Sequence, residues 1–79
     1  MSNRTNENFA AWAAVNKDGQ ECIIYCWENP IRISTGWWAP GDEDSILEYD
    51  ILYVEDGYIE GRIGKKLTWD DEPHLLYGH

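Results

Sequence analysis

An Asp-Gly pair, Asp18 and Gly19, separates two apolar segments and constrains the fold more than any other feature of the chain. Asp-Gly is a strong local signal for a β-hairpin, because both residues tolerate the positive φ that a tight turn requires. Residues 9–15 precede the pair and residues 21–27 follow it, and both segments contain side chains suited to strands. The alanines of residues 9–15 would also permit a short helix. The adjacent turn favours the strand, so the sequence predicts an N-terminal hairpin.

Three later segments are also predicted to be extended. Residues 31–34 alternate apolar and polar side chains. Residues 47–51 alternate with a period of two, and the predicted strand continues to residue 54 with Leu52 and Val54 on the face that carries Glu48 and Asp50. Between them, the glycines and proline of residues 36–41 predict a loop. Residues 67–69 resume apolar character and predict a last short strand or an extended segment, and the segment that follows Pro73 is predicted to be irregular.

One short helix is predicted after the longest of these strands. Asp56 is a suitable N-cap, Ile59 and Ile63 are four residues apart on one helical face, and Gly64 is a suitable C-terminal residue. Together with the strands, this predicts an α+β fold: a small antiparallel β-sheet of three to five strands, beginning with the hairpin, and one short helix.

The chain has 79 residues, which is enough for one hydrophobic core. We interpret residues 1–8 as a flexible leader, because they are polar and lack periodicity, and residues 9–79 as a single globular domain. No apolar run approaches the ~18 residues that a membrane span requires, and the polar start lacks the apolar region of a signal peptide. We therefore expect a soluble, cytoplasmic protein.

The formal charge of -9 is unevenly distributed along the chain. The residues up to Gly41 have a net charge of -1, whereas the residues from Asp42 onward contain eleven acidic and three basic side chains. This balance excludes direct binding to nucleic acid or to an anionic membrane, and it favours a basic protein partner. The alternative, that the acidic residues only keep the domain soluble, remains open.

Two cysteines and two histidines formally match zinc-ligand spacings within each pair, but the pairs are too far apart in sequence for a zinc finger. Cys22 and Cys26 would lie about 13 Å apart on one strand at ~3.3 Å per residue, which is too far for a disulfide or for one zinc ion. His74 is remote from both in sequence, and His79 is the last residue. We therefore expect buried free thiols and no metal.

The sequence also contains no recognisable catalytic motif. A nucleophilic Ser or Cys needs a neighbouring base, and no histidine is placed to provide one. Acidic pairs such as Asp70 and Glu72 lack the spacing of a calcium-binding loop, and no glycine-rich phosphate loop is present. We expect neither enzymatic activity nor a cofactor.

Five tryptophans are a second unusual feature of so short a chain. Trp12, Trp27 and Trp69 lie in predicted strands and are assigned to the core. Trp37 and Trp38 are adjacent in the predicted loop, so their side chains should point in opposite directions and one of them can be exposed. An exposed Trp beside acidic residues is typical of a protein interface, although a lid over the core is an equal alternative.

The acidic residues can imitate a nucleic acid. Glu48 and Asp50 alternate on one face of a predicted strand, about 6.6 Å apart, a spacing of the same order as that of neighbouring phosphates. Carboxylates in such positions can bind the arginines and lysines of a nucleic-acid-binding groove. The candidate partner-binding residues are Asp42, Glu43, Asp44, Glu48, Asp50, Glu55, Asp56, Glu60, Trp37 and Trp38.

Two segments carry a resemblance to known proteins. Residues 12–19, WAAVNKDG, and residues 63–73, IGKKLTWDDEP, resemble a group of short tailed-phage proteins. The resemblance implies a phage or prophage source, and small acidic phage proteins without enzymatic motifs are similar to anti-CRISPR and other anti-defence proteins.

These observations lead to one main expectation and two alternatives. We expect a monomeric inhibitor, acting in the bacterial host cytoplasm, that blocks target DNA from a host nucleic-acid-binding protein; a CRISPR surveillance complex subunit with a basic groove is a candidate. The first alternative is a phage accessory module that binds another protein through an exposed Trp loop. The second is a small metal-binding regulator.

Overall fold

The computed structural model describes residues 9–42 and 49–78. It confirms the small α+β fold, with mostly antiparallel sheet and one short helix. In chain order the elements are β1 (Ala10–Val15), β2 (Glu21–Cys26), β3 (Ile31–Arg32), β4 (Trp38–Ala39), β5 (Asp50–Tyr53), α1 (Tyr58–Ile63) and β6 (His74–Tyr77). The predicted leader, residues 1–8, lies outside the described residues.

The N-terminal hairpin is confirmed. β1 and β2 pair antiparallel along their whole length, with Ala10 opposite Cys26. In the turn Gly19 has a φ of 92°, which side chains with a Cβ rarely adopt. Asp18 Oδ1 accepts a hydrogen bond from the backbone N–H of Gln20 at 2.9 Å and so fixes the turn.

Four strands form the main sheet in the order β5, β2, β1, β6, and every neighbouring pair is antiparallel. The two central strands are β1 and β2, the strands of the hairpin. The middle of the sheet is therefore formed by strands that are neighbours in sequence. The alanines of β1 bring the layers on both faces close to the backbone. All four are buried: Ala10, Ala11, Ala13 and Ala14.

The helix covers one face of this sheet. Ile59 of α1 and Leu67 beyond it pack against Ala13 and Val15 of β1, with Ile63 at the margin. The helical face that the sequence predicts from Ile59 and Ile63 is thus the face that packs on the sheet. Gly64 ends the helix in the left-handed conformation, at φ 82°.

A two-stranded ribbon of β3 and β4 covers the other face. Trp38 of β4 is 3% exposed and donates its indole N–H to the backbone oxygen of Val15 at 2.8 Å. The Trp69 ring meets Trp38 edge-on at 5.3 Å between ring centres, and the Arg32 guanidinium carbon lies 4.9 Å from the centre of the Trp38 ring. Arg32 also pairs with Glu72 at 3.2 Å.

Four predictions of local structure require correction. Residues 67–69 are not a strand, because Thr68 and Asp71 form a hydrogen-bonded turn there, with the Thr68 N–H donated to Asp71 Oδ2 at 2.8 Å. The last strand is β6, in the segment predicted to be irregular. The strand predicted at residues 31–34 is limited to β3, and the predicted loop at 36–41 contains β4.

Other predictions hold in part. The strand predicted at residues 47–54 is present as β5, and its first two residues lie outside the described residues. The tryptophans assigned to the core, Trp12, Trp27 and Trp69, are half-buried at its edge. Of the five tryptophans, Trp38 is the one fully enclosed.

Candidate functional site

Half of the acidic residues singled out in the sequence lie in one stretch that runs from β5 into α1. Asp50, Glu55, Asp56 and Glu60 are all exposed there. Within the described part of the chain, no ion pair joins any of the four to a lysine or arginine. Glu43, Asp44 and Glu48 lie outside the described residues.

The backbone places Asp50 and the helix that carries Glu60 on a common side of the sheet. Asp50 lies opposite Tyr25 in the pairing of β5 with β2, and Tyr25 shares its face with Ile23. Ile23 in turn lies opposite Ala13, against which α1 packs. Asp50 therefore faces the same side of the sheet as α1, which carries Glu60.

Asp42 has a structural contact in addition to its charge. It is half-buried, and its Oδ1 accepts the backbone N–H of Glu28 at 3.0 Å. This bond joins the segment after β4 to the end of β2. A substitution at Asp42 would therefore change both the surface charge and the loop.

Glu21 is the polar residue that sequence reasoning missed. It is 4% exposed, yet its carboxylate accepts the backbone N–H of Gly57 at 2.8 Å and of Ile59 at 2.9 Å. It therefore caps α1 from a strand distant in sequence. The predicted cap, Asp56, was wrong: the N-cap is Gly57, at φ 94°, which offers no side chain.

The protonation of Glu21 follows from these contacts. Burial is the largest influence on its carboxyl and by itself raises the pKa. The N–H donors of Gly57 and Ile59, a hydrogen bond involving Asp56 and the charge of Lys66 outweigh burial, so the pKa lies below its ordinary value of 4.5. Glu21 is thus an ionised group that holds the acidic turn in place.

The two adjacent tryptophans separate as expected, one inward and one outward. Trp38 is enclosed, so it is removed from the candidate contact surface. Trp37 is 58% exposed and lines a cleft of about 280 Å³ that also contains Tyr53. The exposed member of the pair therefore lines the same cleft as a second exposed aromatic ring.

A larger cavity, about 470 Å³, lies beyond the ends of the hairpin strands. Lys17 and Lys66 line it together with Glu21 and Asp56, and Leu67 contributes apolar surface. Because lysines and carboxylates are mixed in its wall, its charge selects neither anions nor cations.

The cysteines are buried and free. Burial raises the pKa of Cys22 to about 11 and that of Cys26 to about 12. Each thiol contacts a backbone oxygen, Cys22 that of Ala14 and Cys26 that of Glu28. Among the residues that the structure describes, no group of three or more His, Cys, Asp or Glu side chains is arranged to hold a metal ion.

Comparison with protein-family models, with curated proteins and with solved structures finds no match for this chain. The resemblance to tailed-phage proteins therefore stays a prediction. In the described ranges, no helix has the length and apolar character needed to cross a membrane.

Proposed function

We propose that this protein is an inhibitor that occupies the basic groove of a nucleic-acid-handling protein and so blocks its target DNA. The observation that carries the proposal is the exposed acidic stretch from β5 to α1, with Asp50, Glu55, Asp56 and Glu60 available to a partner. Carboxylates bind the arginines and lysines of such a groove by charge-assisted hydrogen bonds. A CRISPR surveillance complex is the candidate suggested by the phage resemblance.

The anchoring of the acidic stretch to the sheet supports this proposal. Its turn is held by the buried Glu21 carboxylate, and the helix that follows is packed on the sheet through Ile59. A backbone that is already ordered loses little conformational entropy when the carboxylates that it carries meet a partner. The Arg62 guanidinium, a base within the same helix, is held against the Tyr58 hydroxyl at 3.0 Å.

A displacement experiment tests the proposal. A bacterial extract is loaded on DNA-cellulose, the purified protein is added, and the released proteins are identified by mass spectrometry. We expect the added protein to release a DNA-binding protein or complex from the DNA-cellulose. In a gel-shift titration, the same addition should displace labelled duplex DNA from the released protein. Raising the salt concentration should weaken this competition, because the contacts are ionic.

A pair of double variants with the same net charge controls for bulk electrostatics. Asp50→Lys with Glu60→Lys reverses two charges within the stretch, whereas Glu28→Lys with Asp70→Lys reverses two exposed charges elsewhere. For the first double variant, we expect the protein concentration needed to displace the DNA to rise by about ten-fold or more. Release of no DNA-binding protein, or equal effects of the two variants, would contradict the proposal.

A second function is favoured by a separate observation. Trp37 is 58% exposed, far more than a core or lid residue requires. Exposed tryptophans are enriched at protein interfaces. In this alternative the protein is an accessory interaction module, and Trp37→Ala abolishes partner binding while the charge variants leave it intact.

A further inference from the structure

The cleft beside Trp37 has two aromatic walls contributed by distant parts of the chain. Tyr53 is the last residue of β5 and lies opposite Cys22, which faces the β3–β4 ribbon. Trp37 directly precedes the enclosed Trp38 and points the other way. Trp37 is 58% and Tyr53 55% exposed, so ring surface remains for a ligand. The described lining residues are Asn16, Asp18, Gln20, Trp37 and Tyr53.

The polar side chains of the cleft are partly used already, which limits what the cleft can recognise. Gln20 donates both amide hydrogens, to the backbone oxygens of Glu21 at 2.9 Å and Val54 at 3.0 Å. Asp18 Oδ1 accepts the backbone N–H of Gln20. Asp18 Oδ2 has no hydrogen bond to any residue that the structure describes. The cleft therefore offers a charged acceptor beside aromatic surface.

Among the described residues that line the cleft, Asp18 carries the only charge. A carboxylate beside exposed aromatic rings attracts a cation, because the ring faces and the carboxylate are both negative. The nearest lysine in sequence, Lys17, lines the other cavity instead. Its stem packs against Gly36, where an added methyl group would lie 3.1 Å from Lys17 Cβ.

We propose that this cleft binds one arginine side chain of the basic partner, with its guanidinium on the Trp37 and Tyr53 rings and a hydrogen bond to Asp18 Oδ2. Arginine fits better than lysine, because the planar guanidinium stacks on aromatic rings and still presents N–H donors at its edge. The inference rests on the proposed function, since the basic partner supplies the arginine. It adds a specific anchor to an otherwise diffuse electrostatic contact.

An NMR titration with a defined probe tests the inference. The probe is a short neutral-ended peptide with a single arginine, and the control replaces that arginine by citrulline, which has nearly the same shape and no charge. We expect the arginine peptide to shift the Trp37 indole N–H and the Tyr53 ring signals, with saturation. The citrulline peptide should bind about ten-fold more weakly or not at all.

Variants of the protein locate the site. Binding of the arginine peptide should become about ten-fold weaker in each of three single variants, Trp37→Ala, Tyr53→Ala and Asp18→Asn. Leu52→Ala is the matched control, because Leu52 is 51% exposed on the same strand but faces the opposite side of the sheet. It should leave the titration unchanged, and retained strand signals in each variant show that the sheet is intact.

Three outcomes would overturn the inference. The citrulline peptide binds as well as the arginine peptide, the shifts fall on Asp50 and Glu60 instead of the cleft, or methyl glucoside saturates the same signals and the arginine peptide does not. The last outcome would identify a carbohydrate site. Displacement of protein from DNA is measured separately, so a cleft that binds arginine in a protein that fails to displace DNA refutes the proposed function alone.

Discussion

The carboxylate of Glu21, at the start of β2, accepts the backbone N–H of Ile59 in α1 at 2.9 Å, across 38 residues of sequence. The same carboxylate accepts the N–H of Gly57 at 2.8 Å. A helix begins with N–H groups that have no partner within it, and here a buried strand residue satisfies two of them. This contact fixes the helix, and with it Glu60, relative to the sheet.

Removing the charge of Glu21 should destabilise the protein. In Glu21→Gln one carboxylate oxygen becomes an amide donor that faces a backbone N–H, so a buried hydrogen bond is lost. We expect the free energy of unfolding to fall by about 1–3 kcal/mol, measured by urea denaturation. Glu60→Gln is the control, because Glu60 is exposed, and it should change the stability by less than about 0.5 kcal/mol. Equal effects would show that the buried contact contributes nothing.

Stability should also decrease in acid through the same residue. The pKa of Glu21 in the folded protein is below its ordinary value of 4.5, so folding favours the ionised form. Its contribution is therefore complete above pH 4.5 and is lost as the pH falls through and below that value. Urea midpoints measured over this range should fall more steeply for the wild type than for Glu21→Gln. Parallel curves would contradict this assignment.

The parts of the fold that the sequence predicts are those determined by neighbouring residues. The Asp18-Gly19 turn sets the hairpin, and the spacing of Ile59, Ile63 and Gly64 sets the helix and its end. β4 escapes prediction because its two residues are too few to show a period. β6 escapes because its pairing is with β1, at the opposite end of the chain.

The candidate site likewise combines features that follow from neighbouring residues with features that depend on distant ones. Exposure of Asp50 and Glu60 follows from their charge alone, and the opposite directions of Trp37 and Trp38 follow from extended backbone. The role of Glu21 depends on a contact across 38 residues, which no local pattern contains. The cleft that Trp37 and Tyr53 share likewise requires the sheet order that places β5 beside β2.

Trp38 should be the tryptophan on which stability depends most. Trp38→Phe leaves the Val15 oxygen without its indole donor and opens space beside Trp69. We expect a loss of about 2–4 kcal/mol in the free energy of unfolding. The matched substitution Trp37→Phe removes an exposed indole and should cost less than about 0.5 kcal/mol. A similar loss from both would mean that the enclosure of Trp38 is not what stabilises the ribbon.

The two cysteines should react slowly while the protein is folded. The pKa of about 11 at Cys22 and about 12 at Cys26 keeps both thiols protonated at neutral pH, and their burial excludes reagent. Alkylation by iodoacetamide, followed by mass spectrometry, should be at least about a hundred-fold slower in buffer than in urea. Alkylation of the single variants Cys22→Ser and Cys26→Ser measures the rate of the one thiol that each variant retains. Rapid labelling of the folded protein would show that the core around β2 opens readily.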